Sequence, residues 1–326
     1  MMGEESKIEW TTHTFNPWRG CTKVSAGCAN CYAETMSGRN HSTLGVWGPS
    51  GTRVVASESM WKEPVKWDRD ARCDCPDGPD KEHIPDCPQR NRPRVFCASL
   101  ADVFEDWNGP MSNARGELIE HEHIGNAGDQ PAMMTMADVR VRLFNLIAWT
   151  RNLDWLLLTK RAENLREMWT MTNWPNMLPN VWLGVSVEDQ QAADKRIPLL
   201  LKAPAKVRFL SVEPLLGPVD LSPWLESLNW LIVGGESGPG ARPCNVEWIR
   251  DIVRQCRDAG VACFVKQLGS SPEGDELLEA TGKVKRDRAE KMTHIQLRRK
   301  ITDKKGGDMD EWSEDLRVRE FPNGAK

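Results

Sequence analysis

Residues 181–189 read VWLGVSVED, and the run Val181–Ser186 has the makings of a buried strand. It is apolar and β-branched, free of proline, and turns polar only at its end, with Ser186 and then Glu188. The same construction recurs at Arg94–Ser99, Asp154–Thr159, Val207–Val212, Asn229–Val233 and Val261–Val265. Between these runs, Ala137–Thr150, Ala162–Met171, Gln190–Lys202 and Val246–Ala259 carry apolar residues at helical spacing. Near-continuous apolar strands alternating with helices predict βα units packed on a parallel sheet. The expected fold is α/β, a partial or full βα barrel, preceded by a short extended piece at Thr14–Arg19.

Barrel folds place their chemistry at the C-terminal ends of the strands. Here those ends carry Ser99 and Asp102; Thr159, Lys160 and Arg161; Ser186 and Glu188; Glu213; Gly234, Gly235 and Glu236; and Lys266 and Gln267. As a set they describe a polar site ringed by strand ends. Singly, each also fits a helix cap or an ion pair.

The 326 residues, 40% of them hydrophobic, suffice for one elaborated barrel, and a formal charge of −4 gives no global attraction to polyanions. The opening MMGEESKIEW has no signal-peptide character and no later segment has the length of a membrane span, so a cytoplasmic protein is expected. In a reducing compartment, ten cysteines read as metal ligands or buried thiols rather than disulfides. Residues 70–93, rich in Pro, Asp and Cys, read as a surface insertion, and 110–131 as a loop. The expected organisation is a barrel core over 1–269, with the insertion at 70–93, and a charged C-terminal extension over 270–326.

In GCTKVSAGCANCYAE, residues 20–34, Cys21, Cys28 and Cys31 are flanked by Gly20 and Gly27, which permit tight turns. Thiolates suit zinc and iron-sulfur clusters, and three protein donors leave one metal position open. The competing reading is a structural zinc with His13 as fourth ligand. Cys73, Cys75 and Cys87, with His83 among them, form a second candidate group for zinc or an auxiliary cluster; Cys97, Cys244, Cys256 and Cys263 fit as small buried hydrophobes. Lys283–Lys305 holds ten Lys or Arg residues against three acids, a local patch able to meet phosphates. Most tryptophans fit core positions, with Trp18 and Trp107 as candidates to stack a base.

The stretches FNPWRGCTKVSAGCANCYAE, DWLLLTKR, NVWLGVSVEDQ, VRFLSVEPLLGPVDL, WLIVGGESGPGARP, CFVKQLG and DEWSEDLRVREFP resemble a family of phage and prophage radical S-adenosylmethionine (AdoMet) proteins with unusual cysteine spacing. The resemblance covers most of the chain apart from 70–93 and 110–131. It implies a radical AdoMet barrel, with a [4Fe-4S] cluster on Cys21, Cys28 and Cys31 and AdoMet on the remaining iron. The commonest superfamily pattern has three residues between the first two cysteines and an aromatic before the third. Here six intervene, Asn30 takes the aromatic's place, and Tyr32 follows.

By strand order, the resemblance implies Ser99 and Asp102 near the methionine end of AdoMet and Ser186 and Glu188 near its ribose. Gly234, Gly235 and Glu236 fall near the adenine or the substrate, with Tyr32 a further cofactor contact. Lys160, Glu213 and Lys266 are left for substrate contact or proton transfer. The implied function is modification of a nucleobase in phage DNA, concretely isomerisation of a glycinyl adduct on thymine during hypermodification that protects viral DNA from restriction. It implies an electron donor such as flavodoxin or ferredoxin. The alternatives are a radical AdoMet pyrimidine photoproduct lyase, and a zinc-stabilised DNA-binding or adaptor protein without catalysis.

Overall fold

The computed structural model describes residues 6, 8–72, 92–120, 133–170, 178–274 and 302–322. In chain order its elements begin with β1 (His13–Thr14), β2 (Trp18–Arg19), α1 (Tyr32–Arg39), α2 (His41–Leu44), β3 (Arg53–Val55), α3 (Glu58–Asp70), β4 (Arg94–Cys97) and β5 (Met111–Ser112). Then come α4 (Met136–Trp149), β6 (Asp154–Thr159), α5 (Leu165–Thr170), β7 (Val181–Ser186), α6 (Gln190–Leu201) and β8 (Val207–Val212). The last are β9 (Trp230–Gly234), β10 (Cys244–Asn245), α7 (Val246–Ala259), β11 (Ala262–Gln267) and β12 (Pro272–Glu273).

The chain divides into two compact units. The first comprises Met1–Val24, Cys31–Leu183 and Ala203–Lys206; the second comprises Ser25–Asn30, Gly184–Lys202 and Val207–Lys326. The first carries the strand order β1-β4-β6 and the start of β7, and the second the end of β7 followed by β8-β9-β11. The seven strands form a parallel sheet in which spatial order repeats chain order. A doubly wound sheet must reverse its strand order at a switch point. None occurs here, and the architecture is that of an α/β protein compatible with a partial βα barrel.

Local sequence explains the elements. All six residues of β7 and all five of β9 are buried, as strands covered on both faces must be. Helix α4 starts with a reciprocal cap: Thr135 Oγ1 accepts from the Asp138 amide, and Asp138 Oδ2 accepts from the Thr135 amide at 2.8 Å. Helix α7 starts on Asn245 and stops at Gly260, whose φ of 68° is left-handed.

The first unit packs Phe15 edge-on against Trp61 and Trp155, with ring centroids 5.2 and 5.8 Å away, and Trp10 against Phe96 at 4.8 Å. It also holds a small sheet ordered β2-β3-β5. In the second unit Trp230 meets Phe264 at 6.3 Å and Phe321 at 5.4 Å.

The described part of the expected C-terminal extension, residues 302–322, packs into the second unit. The Val265 amide donates to Val318 carbonyl, and the Glu320 amide to Cys263 carbonyl, each at 2.8 Å, so this segment follows β11. Trp312 and Leu316 are fully buried. The four cysteines expected in the core, Cys97, Cys244, Cys256 and Cys263, are buried. Trp18 is 0% exposed and is a core residue, which removes it as a base-stacking platform. Cys73, Cys75, His83, Cys87 and the basic run from Lys283 to Lys300 lie outside the described residues. Among the described residues no helix is long and apolar enough to cross a membrane.

Trp312→Ala is expected to lower stability by about 3–5 kcal/mol, read as a shift of the urea midpoint. An unchanged midpoint would show that residues 302–322 are not part of the cooperative core.

Candidate functional site

Two groups of strand-end charges grip the segment that carries the cysteines, and each lies within one unit. In the first unit the centre is Arg161, which follows β6. Its guanidinium donates to Cys21 Sγ at 3.5 Å, Thr22 carbonyl at 2.7 Å, Asp102 Oδ2 at 3.0 Å and Glu105 Oε1 at 3.2 Å. Glu105 also accepts from Arg53 Nε at 2.7 Å, from Arg53 Nη2 at 2.8 Å and from the Thr22 amide at 2.9 Å. Asp102 Oδ1 accepts from Thr159 Oγ1 at 2.7 Å and from the Phe104 amide at 3.0 Å. All four charged side chains are buried.

Two guanidiniums and two carboxylates cancel formally, the condition on which such burial is tolerated. Asp102 and Cys21 hold the Arg161 guanidinium above its ordinary range although burial opposes this. Burial pushes the Cys21 thiol up to about 12, against the pull of Arg161. Arg140 of α4 fixes the loop that carries Asp102 and Glu105, donating to the Val103 and Glu105 carbonyls at 2.8 Å each.

In the second unit the grip falls on Ser25–Asn30. Glu188, 1% exposed, accepts from Ser25 Oγ and from Arg196 of α6, each at 2.5 Å. Glu236, after β9, accepts from Asn30 Nδ2 and Arg242 Nε, each at 2.9 Å. Arg242 also donates to Ala26 carbonyl at 2.9 Å. Burial raises the Glu236 carboxyl, but the hydrogen bonds from Arg242 and Asn30 prevail and hold it below the usual range. Gly27 lies so close to Glu188 that a Cβ there would come within 2.3 Å of the carboxylate oxygen. No side chain larger than hydrogen fits without moving Glu188.

Cys21, Cys28 and Cys31 are half-buried free thiols. Cys28 closes a short 3-10 turn, Ala26–Cys28, with its sulfur 3.8 Å from Ser25 Oγ; Cys31 is the residue before α1. Among the described residues, no three His, Cys, Asp or Glu side chains are grouped so as to hold a single metal ion. His13, considered as a zinc ligand, stacks flat on Trp67 with centroids 4.2 Å apart.

A family profile described as "Protein of unknown function" (DUF5131) matches residues 5–111 and 129–313, which is most of the chain. The chain belongs to the DUF5131 family. No curated protein and no solved structure matches it. The DUF5131 match takes in the whole cysteine segment and every strand-end residue of both grips. It also runs through residues 70–93 and well beyond 270, so the expected insertion and much of the expected extension belong to the DUF5131 region.

The other candidate residues fall as follows. Tyr32, 54% exposed, donates its hydroxyl to Ser99 carbonyl at 2.6 Å, and Ser99 Oγ accepts from Asn16 Nδ2 at 3.1 Å. Ser186 is buried and its carbonyl takes Arg196 Nη1 at 2.8 Å. Glu213 and Lys266 pair at 3.1 Å; Lys160 belongs to the first unit and gives its amide to Asp102 Oδ2 at 3.2 Å. Gly234 and Gly235 have packing reasons: a Cβ would come within 2.8 Å of Glu213 Oε1 at the first and 2.2 Å of Leu268 carbonyl at the second.

Sequence reading missed Arg53, Glu105, Arg196 and Arg242. Glu105 stands three residues after Asp102 in the same strand-end loop, which was the available signal. Trp107, read as a stacking platform, has the Arg53 guanidinium 4.1 Å from its ring centroid.

Glu105→Gln leaves Arg53 and Arg161 short of one negative charge inside the protein. The expected loss is about 3–5 kcal/mol on the metal-free protein, measured by urea denaturation. A loss under about 1 kcal/mol, the worth of an exposed pair, would mean the network is not buried as described.

Proposed function

We propose that this chain is a radical AdoMet enzyme whose substrate is a nucleobase in DNA. The observation that carries the reading is the DUF5131 segment with three free, half-buried thiols in eleven residues, Cys21–Cys31, one of them hydrogen-bonded to a buried arginine. The donor set fits the group: soft thiolates suit iron-sulfur clusters, and three of them leave a position for a substrate-like ligand.

Cys21, Cys28 and Cys31 would hold the [4Fe-4S] cluster, which when bound supplies the electron that opens the C5′–sulfur bond of AdoMet. Arg161 favours the deprotonated sulfur of Cys21, opposing part of the burial that raises its thiol, since a coordinating thiol must give up its proton. Asp102 and Glu105 orient that guanidinium, and Glu188 and Glu236 steady the part of the segment that contains Cys28. Lys266 presents Nζ, 3.1 Å from Glu213 Oε1, as a proton carrier for the substrate.

The substrate reading follows the family resemblance. It is isomerisation of a glycinyl adduct on the thymine methyl carbon, moving the attachment from nitrogen to carbon, with reducing equivalents from a flavodoxin- or ferredoxin-like donor. Bonds rearrange without net oxidation of the product.

Anaerobic reconstitution should give a brown protein with about four irons and four sulfides, and addition of AdoMet and reductant should release 5′-deoxyadenosine. Cys28→Ala is expected to abolish both. A colourless protein with stoichiometric zinc overturns the reading in favour of the adaptor. Conversion of glycinyl-thymine DNA supports the isomerase, whereas reversal of photoproducts in irradiated DNA, with modified thymine untouched, moves the assignment to the lyase.

Gly27→Ala should lower iron retention several-fold by displacing Glu188, while Gly38→Ala, where nothing lies within 4 Å of the added carbon, should leave it unchanged. Equal retention in the two variants would contradict the role given to the Gly27–Glu188 contact.

A further inference from the structure

Arg19 of β2 is 8% exposed, and among the described residues its guanidinium meets neutral partners, Thr43 carbonyl at 3.3 Å and Met60 Sδ at 2.9 Å. No carboxylate among the described residues pairs with it. The contrast with Arg53 and Arg161 is sharp, since each of those has acidic partners. A buried cation without a counter-charge is costly unless a ligand supplies one.

Arg19 lines a cavity of about 390 Å³ within the first unit. Thr43, Ser57, Asn113 and Arg115 share its wall, and no acidic side chain among the described residues lines it; Glu117 stands behind Asn113, accepting from its Nδ2 at 2.7 Å. Arg115 is exposed, and among the described residues the lining carries a formal positive charge. Ser57 is also the residue before α3, a helix of thirteen residues whose start has no side-chain cap. The amides of its first turn point their partial positive charge outward. Glu58, the acid that could have neutralised that end, is held by both Nη atoms of Arg142 at 2.7 and 2.6 Å.

Two guanidiniums, a helix N-terminus and hydroxyl side chains around one cavity are the kinds of donor that an oxyanion needs. The donors come from β2, α2, the start of α3 and the 113–115 turn, so they approach from several directions. That arrangement suits the tetrahedral oxygens of a phosphate better than the two coplanar oxygens of a carboxylate. Val55, Met60 and Ile119 give the cavity an apolar side, and its volume lies within the range of about 300–1,000 Å³ that accommodates organic ligands. We propose that the cavity framed by Arg19, Arg115 and the start of α3 binds the phosphate group of an organic phosphoester. This does not rest on the iron-sulfur reading.

The test is calorimetric titration of the full-length protein with inorganic phosphate, thymidine 5′-monophosphate and a short oligodeoxynucleotide lacking terminal phosphates. Arg115→Ala is expected to weaken binding about tenfold or more, and Arg19→Met more strongly still. Binding of the monophosphate alone identifies a free phosphomonoester, and binding of the oligonucleotide alone a polynucleotide backbone; each supports the proposal. Arg115, being exposed, keeps the test decisive even where Arg19→Met fails to fold. Failure of all three probes, binding of inorganic phosphate only, or unchanged affinity in the variants overturns it.

Discussion

In the first unit the position of the cysteine segment depends on one guanidinium. Arg161 is out of water, and the burial of its charge is compensated by Asp102 and Glu105, which face it. The same arginine reaches Cys21 and the Thr22 carbonyl, so the compensation of a buried charge and the position of the first cysteine are a single constraint. Removing either carboxylate would leave two guanidiniums facing one acid; removing Arg161 would leave Arg53 as the one cation for two buried acids. Such networks contribute little net stability compared with apolar replacements, and what this one does is hold Cys21 and Thr22 in place.

The second unit meets an analogous requirement by different means. Glu188 and Glu236 are each neutralised by an arginine, Arg196 and Arg242, and each spends remaining oxygen capacity on the segment Ser25–Asn30. Gly27 allows that close approach. The carboxylates at the ends of β7 and β9 are therefore occupied in aiming backbone and side chains. Any role toward a bound cofactor would be exercised through that positioning.

The strands were legible in the sequence because a buried parallel strand must be a continuous apolar run. Asp154–Thr159, Val181–Ser186 and Val207–Val212 match their expected bounds, and α7 matches Val246–Ala259. Two others slid by one or two residues, since Asn229 and Val261 sit just outside β9 and β11. Helix α3 escaped notice because Pro64 lies inside it and its buried residues include Asp68, which blur the helical pattern. β3 has three residues, too few to display a period. The strand-end residues were legible as a set, but their partners were not. Arg161 and Cys21 are 140 positions apart, and Arg53 and Glu105 are 52 apart, distances over which a single sequence carries no pairing signal.

On the proposed function, three thiolates of one short segment hold an iron-sulfur cluster with one iron open to AdoMet. Electron paramagnetic resonance of the anaerobically reconstituted, reduced protein tests it most directly. The expected result is a reduced [4Fe-4S] signal whose shape changes when AdoMet is added. A cluster signal indifferent to AdoMet, or no cluster signal at all, would contradict it.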